Sequence, residues 1–463
     1  MKTSSLLGHC AQLLKIIRKS PHPADALTSD YMRERKYIGS KERRAVSEIV
    51  FSILRRLILL DFHVEVTCST SHRTDVPDEV LVVAAGALLL YTDEFEHLDS
   101  LLRAASNDAE DIPSAIAQLL IEKGGLDPTK ATECIAALQA SIAQRKNEIL
   151  TSDTPWIDCS MPEWMFQNWC DYYGRDSAIE NANTVLNGAP LTVRVNTMIG
   201  NREKVLTALQ NDGFDCTATP YSPHGIIFAR RVQLHTHPLM QHGIIEVQDE
   251  GSQLVGFALS PHEEWSVLDA CAGAGGKSLH CAVLQNDKGA ITGSDIEPRR
   301  LRELYHRSQR AHLKSIRCQS FATLKPDERS SLFGTFDAVI IDAPCSGIGT
   351  IRRSPMLKYR VNPNQLERIA AKQRSIISDY ARYVKPGGIL LYVTCSLMHE
   401  ENADVVSAFL SSTDEFIGDD LRPVFEQHGI GIDISGESPH CVTLLPYQHG
   451  TDGFFIARMK RIH

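Results

Sequence analysis

Long apolar runs are missing from these 463 residues. Nowhere do about 18 apolar residues follow one another, so no segment reads as a membrane-spanning helix. The first residues scatter Lys2, Lys15, Arg18 and Lys19 around Leu6 and Leu7. They lack both an apolar core and a small-residue cleavage site, and do not read as a secretory signal. The twelve cysteines include no C-x-x-C pair, so neither a zinc knuckle nor a disulfide scaffold is indicated, and no metal is expected. Internal repeats and low-complexity tracts are absent too. What remains is an ordinary soluble composition, long enough for two or three domains, suited to a reducing cytoplasm and expected to be monomeric.

The net charge of −9 hides a pattern. Residues 1–60 carry +7 and 298–385 carry +11, whereas 61–150, 151–297 and 386–463 carry −10, −10 and −7. Two basic blocks in an acidic chain read either as solvated faces or as separate footprints for a polyanion.

Residues 1–150 read as an all-helical bundle. Val46, Ile49, Val50, Ile53, Leu54, Leu57 and Ile58 form one apolar helical stripe, which puts Arg44 and Arg55 on the opposite side. Similar stripes recur at 80–90, 116–121 and 132–142, separated by Pro77, Pro113, Gly124-Gly125 and Asp127-Pro128. Asp, Pro, Ser and Trp then cluster at 151–162, which predicts a boundary and a small α+β segment over 151–260. Its expected elements are a helix at 163–173 and strands at 191–195, 226–228 and 244–247. From 261 to 463 strands alternate with helices, which predicts an α/β, doubly wound, mostly parallel sheet with an antiparallel edge from the last hairpin. Its strands are expected at 266–269, 290–295, 315–318, 336–342, 389–395 and 454–458, with helices at 277–285, 298–312, 363–384 and 402–410.

Val267-Leu268-Asp269-Ala270-Cys271-Ala272-Gly273-Ala274-Gly275-Gly276-Lys277-Ser278 reads as strand, glycine turn and helix start. Glycines let a ligand approach the backbone, and free N–H groups at the helix start favour carboxylate or phosphate. Asp295, twenty residues beyond Gly275, ends the next strand, where a carboxylate can accept both ribose hydroxyls. Three cofactors compete. A nicotinamide fingerprint needs glycine where Ser278 stands, and a P-loop needs glycine where Cys271 stands, although Gly276-Lys277-Ser278 fits one. S-adenosylmethionine is the third.

Val339-Ile340-Ile341 is a buried-strand run that breaks at Pro344 and Gly347, delivering Asp342 and Cys345 to the strand's C-terminal end. Ligands bind at that rim in open α/β sheets. Fifty residues on, Ile389–Thr394 delivers Cys395 in the same way. A lone cysteine after a strand is ordinarily a small buried hydrophobe, the reading that suits Cys271, Cys281 and Cys318.

Together these segments resemble the Nop2/Sun (Fmu-like) family of RNA cytosine-5 methyltransferases across nearly all of 150–463. Asp269–Ser278 is similar to the family's first motif and Asp342-Ala343-Pro344-Cys345-Ser346-Gly347 to its fourth. Thr394-Cys395-Ser396 is similar to its sixth, and Gly349–Pro355 and Asp452–Ala457 match as well. The helical front, with Asp25, Tyr31, Lys41–Arg44, Arg55-Arg56 and Asp61, resembles the NusB-like RNA-binding bundle of bacterial members acting on small-subunit ribosomal RNA.

The resemblance implies a Rossmann-like, S-adenosylmethionine-dependent catalytic domain. Cys395 is implied as the nucleophile on carbon 6 of cytosine, with Asp342 on the ring edge. Cys345 is implied to assist proton loss and adduct release, with Lys277 beside the same pocket. Cofactor contacts are implied for Asp269, Cys271, Ala272, Gly273, Ala274, Gly275, Gly276, Lys277, Asp295, Arg300, Ser320, Asp342 and Pro344. Arg352, Arg353, Lys358 and Arg360 are expected to hold RNA phosphates.

Three departures from the family stand out. Ala274 replaces a proline and Met356 an acid. Between 304 and 326 there is no Asp or Glu for the adenine end of the cofactor, which leaves Ser320 or a backbone group. An RNA binder with a decayed cofactor site, or a P-loop NTPase, are the other readings.

Overall fold

The computed structural model describes every residue except 71–74, 93–100, 103, 107–110, 149–152 and 435–437. The expected boundary at 150 therefore lies outside the described residues. The chain divides into two compact units, Met1–Gly188 with Ile351–Arg360 and Ala189–Thr350 with Val361–His463.

The first unit is helical among its described residues. Helix Asp78–Thr92 is apolar all round, and it packs against helices Thr3–Lys19, Ser40–Arg55, Leu57–Thr70, Ile112–Glu122 and Pro128–Glu148. A helix with no polar face has to sit in the middle of a bundle. The predicted stripe holds in part: Val46, Ile49, Val50, Ile53 and Leu54 are all buried on helix Ser40–Arg55, but Leu57 and Ile58 open the next helix, and Ile58 is only half-buried. Arg55 does not follow its wheel position. It is buried, and its Nε and Nη2 donate to the Arg352 carbonyl at 3.2 and 2.9 Å. Helices Glu163–Tyr173 and Arg175–Thr184 also belong to this unit. No helix among the described residues is long and apolar enough to cross a membrane.

The second unit holds two sheets. β1 (Leu191–Val195), β2 (Cys216–Ala218), β3 (Gly225–Phe228) and β4 (Ile245–Val247) form an antiparallel sheet in the order β2-β3-β1-β4. The larger sheet comprises β5 (Ser266–Asp269), β6 (Ala290–Gly293), β7 (Ile316–Cys318), β8 (Phe336–Asp342), β9 (Val384–Thr394), β10 (Phe416–Gly418), β11 (Cys441–Leu444) and β12 (Phe454–Arg461). Its order is β10-β12-β9-β8-β5-β6-β7, with β11 also on β12. Strands β5 to β9 pair in parallel, and β12 adds the expected antiparallel edge. The short strands β2, β10 and β11 were not expected.

Val339, Ile340 and Ile341 are fully buried, each worth roughly 1.5–3 kcal/mol of apolar transfer. That burial anchors β8 so that Asp342 emerges at its tip. The chain runs outward from β5 through β6 and β7, then returns to lay β8 on β5's other side. This is a topological switch point, and it opens a crevice at the strands' carboxyl ends.

Candidate active site

Neighbouring strands β8 and β9 bring the two predicted cysteines together. Cys345 Sγ lies 3.3 Å from Cys395 Sγ, and both residues are partly exposed. The adjoining Cys395 sulfur and burial push the Cys345 thiol well above its usual range. Cys345 therefore keeps its proton, which lies within sharing distance of the Cys395 sulfur.

Asp342 Oδ2 accepts from Lys277 Nζ at 2.6 Å. Burial alone would lower the Lys277 pKa, but the Asp342 charge outweighs it and the ammonium is held above its ordinary range. The buried Asp269 carboxyl works in the same direction.

Glu401 holds the two cysteine loops, and sequence reasoning missed it. Its fully buried carboxylate accepts from the Ser346 backbone N–H at 2.7 Å, the Ser346 hydroxyl at 2.5 Å, the Ser396 hydroxyl and Gln373 Nε2. Each serine directly follows one of the paired cysteines. The repeated Cys-Ser after two strand ends was the available signal. Gly349 closes the same corner: its N–H donates to the Cys395 carbonyl at 2.9 Å, and a Cβ there would meet the Gly453 oxygen at 2.1 Å.

The glycine turn sits between the tips of β5 and β6. Gly275 takes φ +85°, and a Cβ there would strike Leu304 at 2.0 Å. The Gly273 N–H donates to Asp295 Oδ2 at 3.0 Å, and Asp295 Oδ1 accepts from the Glu297 N–H at 2.8 Å. Arg300 lies 3.7 Å from Asp295 Oδ2 and 3.3 Å from Glu297. Asp269 is fully buried; its Oδ2 takes the Ser278 hydroxyl at 2.5 Å, and burial pushes its carboxyl up to about 6. Its Oδ1 has no partner among the described residues.

The Ala274 carbonyl accepts from Arg307 Nη1 at 2.7 Å, so a guanidinium braces the loop where the resemblance led us to expect proline. The Pro344 carbonyl accepts from Gln373 at 3.0 Å. Ser320 Oγ is likewise buried without a partner. Two orphaned buried polar atoms, beside a glycine-rich turn with a carboxylate on the next strand, fit a nucleoside with an amino-acid end. Among the described residues no metal-holding cluster of acids, histidines and cysteines occurs.

Other expectations need correction. Lys358 is buried, and its Nζ donates to the carbonyls of Arg55 at 2.7 Å and Ser160 at 2.5 Å, so it does not reach a phosphate. Arg352 is buried and donates to the Gly188 carbonyl at 3.2 Å. Arg360 donates to the Pro21 and Ser20 carbonyls at 3.0 and 2.7 Å. Arg353 is half-buried. The segment's charge is spent on helix ends and loops of the first unit, where Met356 also joins the apolar core in place of the expected acid. Cys281 is buried as expected, but Cys318 is exposed, because β7 is the outermost strand of its sheet. Burial pushes the Cys271 thiol up to about 12, which fits a packing role.

Residues 256–460 match a family described as 16S rRNA methyltransferase RsmB/F, and 161–235 match an RsmF/B-like ferredoxin-like domain. A Bacillus subtilis protein described as "Probable ribosomal RNA small subunit methyltransferase B" is 33% identical over 66% of this chain and 67% of its own length. A Synechocystis protein of the same description is 28% identical over 97% of this chain and 99% of its own. The crystal structure of PH0851 shares the fold over 100% of this chain and 99% of that one, with TM-score 0.72 and 21% identity.

Proposed function

Because the chain belongs to the RsmB/F family of 16S rRNA methyltransferases, we propose that it methylates carbon 5 of a cytosine in small-subunit ribosomal RNA, with S-adenosylmethionine as donor. The observation that carries the mechanism is the pair of sulfurs 3.3 Å apart beside the Asp342–Lys277 ion pair.

Carbon 5 of cytosine is a weak nucleophile, and a thiolate bonded to carbon 6 makes it a strong one. Cys395 supplies that thiolate. Asp342 keeps one oxygen on Lys277 and offers the other to the exocyclic amine. The Lys277 proton it shares is the nearest one for ring nitrogen 3 as charge moves onto the ring. The target base must leave its stack to reach these groups. When bound, the cofactor supplies an electrophilic methyl group. Asp295 would hold its ribose, while the turn 271–276, with Asp269 and Ser320, would hold its two ends. Once Cys395 is tied to carbon 6, the main cause of Cys345's raised pKa is gone. Cys345, once it has passed its own proton to water, takes the carbon 5 proton as a thiolate. The electrons of that C–H bond restore the 5,6 double bond, the carbon–sulfur bond breaks and Cys395 leaves as a thiolate, while nitrogen 3 returns its proton to the Asp342–Lys277 pair.

The partnerless Ser320 hydroxyl supports an intact cofactor site despite the absent adenine-side acid. The helical first unit, with its +7 opening block, reads as an RNA-docking domain, Arg353 included. The small antiparallel sheet and the larger sheet read as the RNA-binding and catalytic parts of the second unit. A working thiol pair suits a reducing cytoplasm, and a monomer is the expected state.

The test is incubation of the full chain with tritiated S-adenosylmethionine and unmodified 16S rRNA, followed by mapping of 5-methylcytosine. Cys395→Ala should lower turnover by roughly 10⁴-fold or more. Cys345→Ala should accumulate a covalent protein–RNA band on a denaturing gel. Equal turnover by both variants would refute the division of labour between the two cysteines.

A further inference from the structure

With three of the four predicted phosphate contacts turned onto backbone carbonyls, the rest of the second basic block becomes the candidate surface for RNA. Its first stretch is helix Pro298–Arg310, which carries Arg299, Arg300, Arg302, Arg307 and Arg310. Leu301, Leu304 and Ser308 are buried. Arg299, Arg302, His306 and Arg310 follow at spacings of three and four, one stripe along the helix. With Glu303 and Arg307 they line one side of a groove of about 700 Å³, whose other side is Met240, Glu246 and Val247.

The charges in this groove are unevenly spent. Glu246 is buried, and its carboxylate is saturated by Arg307 at 3.0 Å and by Arg310. Arg299 and Arg302 are exposed, and neither guanidinium forms a hydrogen bond or ion pair with any described residue. Glu303 is the one other carboxylate in the lining. Opposite the free guanidiniums, Val247 is 46% exposed. An unneutralised arginine pair facing an apolar strip, in a chain of net charge −9, matches a ligand with phosphates on one edge and flat bases on the other. From Arg299 to Arg310 the helix runs about 16 Å, the length of about five stacked nucleotides at 3.4 Å each. Arg307, in the same wall, holds the Ala274 carbonyl, so the groove lies alongside the cofactor turn.

We propose that this groove, between helix Pro298–Arg310 and β4, binds a single-stranded segment of the ribosomal RNA substrate, with Arg299 and Arg302 gripping its phosphates. The inference rests on ribosomal RNA being the substrate of the thiol site.

The experiment measures binding of a fluorescent single-stranded 16S rRNA fragment to the full chain by anisotropy, across a KCl series. Arg299→Gln with Arg302→Gln should weaken binding roughly tenfold near 0.15 M salt and flatten the log–log salt slope by about 1.4. Arg299→Lys with Arg302→Lys keeps the charge and should preserve the slope. Calorimetry should give S-adenosylmethionine the same affinity for all three proteins, which also checks folding. Lys314→Gln with Arg317→Gln, two exposed charges of the same block outside the groove, should stay within twofold of the parent. An unchanged slope in the first variant, or an equal loss in the Lys314/Arg317 pair, would overturn the groove. Methylation is scored separately. A parent that makes no 5-methylcytosine would sink the enzymatic reading, while the binding comparison would still decide the groove.

Discussion

Lys358 is buried and Lys277 nearly so, and both aim a side-chain nitrogen at oxygen, yet their surroundings drive them in opposite directions. Lys277 faces a carboxylate, whose charge overcomes the cost of burial and holds the proton more firmly than water would. Lys358 faces two backbone carbonyls, with Arg55 and Arg56 close by. Burial, seconded by those two cations, pushes it well below the ordinary lysine range. A full opposite charge can offset desolvation where neutral dipoles cannot. The stretch that begins with Lys277's partner Asp342 and the one that carries Lys358 divide likewise. Residues 342–350 keep a carboxylate and a thiol open for chemistry, while 351–360 turn their cations inward to tie backbone together. Burial alone does not mark a functional lysine; the charge of its partner does.

The largest effect that sharpens this contrast is expected at Lys277. Lys277→Met leaves Asp342 without its cation. Turnover should fall by roughly 10²–10³-fold, with adduct formation lost in parallel. An intact rate of adduct formation on a denaturing gel would show that the lysine only packs. Next comes Glu401, which acts on the reaction through the two serines it holds. Glu401→Gln must present an amide N–H where a hydroxyl or backbone N–H now donates, so the loops carrying the sulfurs shift apart. A misplacement of about 1 Å costs on the order of 10²-fold. The expectation is a 10- to 100-fold drop in kcat with cofactor affinity unchanged by calorimetry. A drop in cofactor affinity instead would assign Glu401 to the other pocket.

The reactive tips were readable because β8 and β9, covered on both faces, spell continuous apolar runs that end in Asp-Ala-Pro-Cys and Thr-Cys. The edge strands β2, β10 and β11 were not. Three or four residues paired on an edge carry too little pattern to separate from loop. Arg55 shows a different limit. A helical wheel sees only its own helix, and the carbonyl that draws Arg55 inward belongs to Arg352, nearly three hundred residues away. Glu401 hid for the opposite reason: His399-Glu400-Glu401 reads as a solvated acidic run, although its last member is fully buried. Conversely, Arg352–Arg360 read as a footprint for phosphate because a basic cluster looks the same whether it faces solvent or a helix end.

The smallest effect tests the other half of the contrast. Lys358→Met keeps the stem volume and removes the two hydrogen bonds, leaving the carbonyls of Arg55 and Ser160 short of a donor at a cost of roughly 1–3 kcal/mol. The sharper readout is pH. Lys358 has a folded pKa below its unfolded value near 10.5, so between the two the unfolded chain binds the extra proton and stability rises with pH. Parent stability relative to Lys358→Met should therefore climb as pH rises between the lowered folded value and 10.5, by at most about 1.4 kcal/mol per unit. It should level off above that, where both states of the parent have lost the proton. Lys277, present in both proteins, cancels from the difference. Urea midpoints taken from pH 7 to 10 would read it out. A difference that stayed flat, or that shrank as pH rose, would mean that Lys358 stays charged in the folded chain and that carbonyl dipoles suffice after all to hold a buried ammonium.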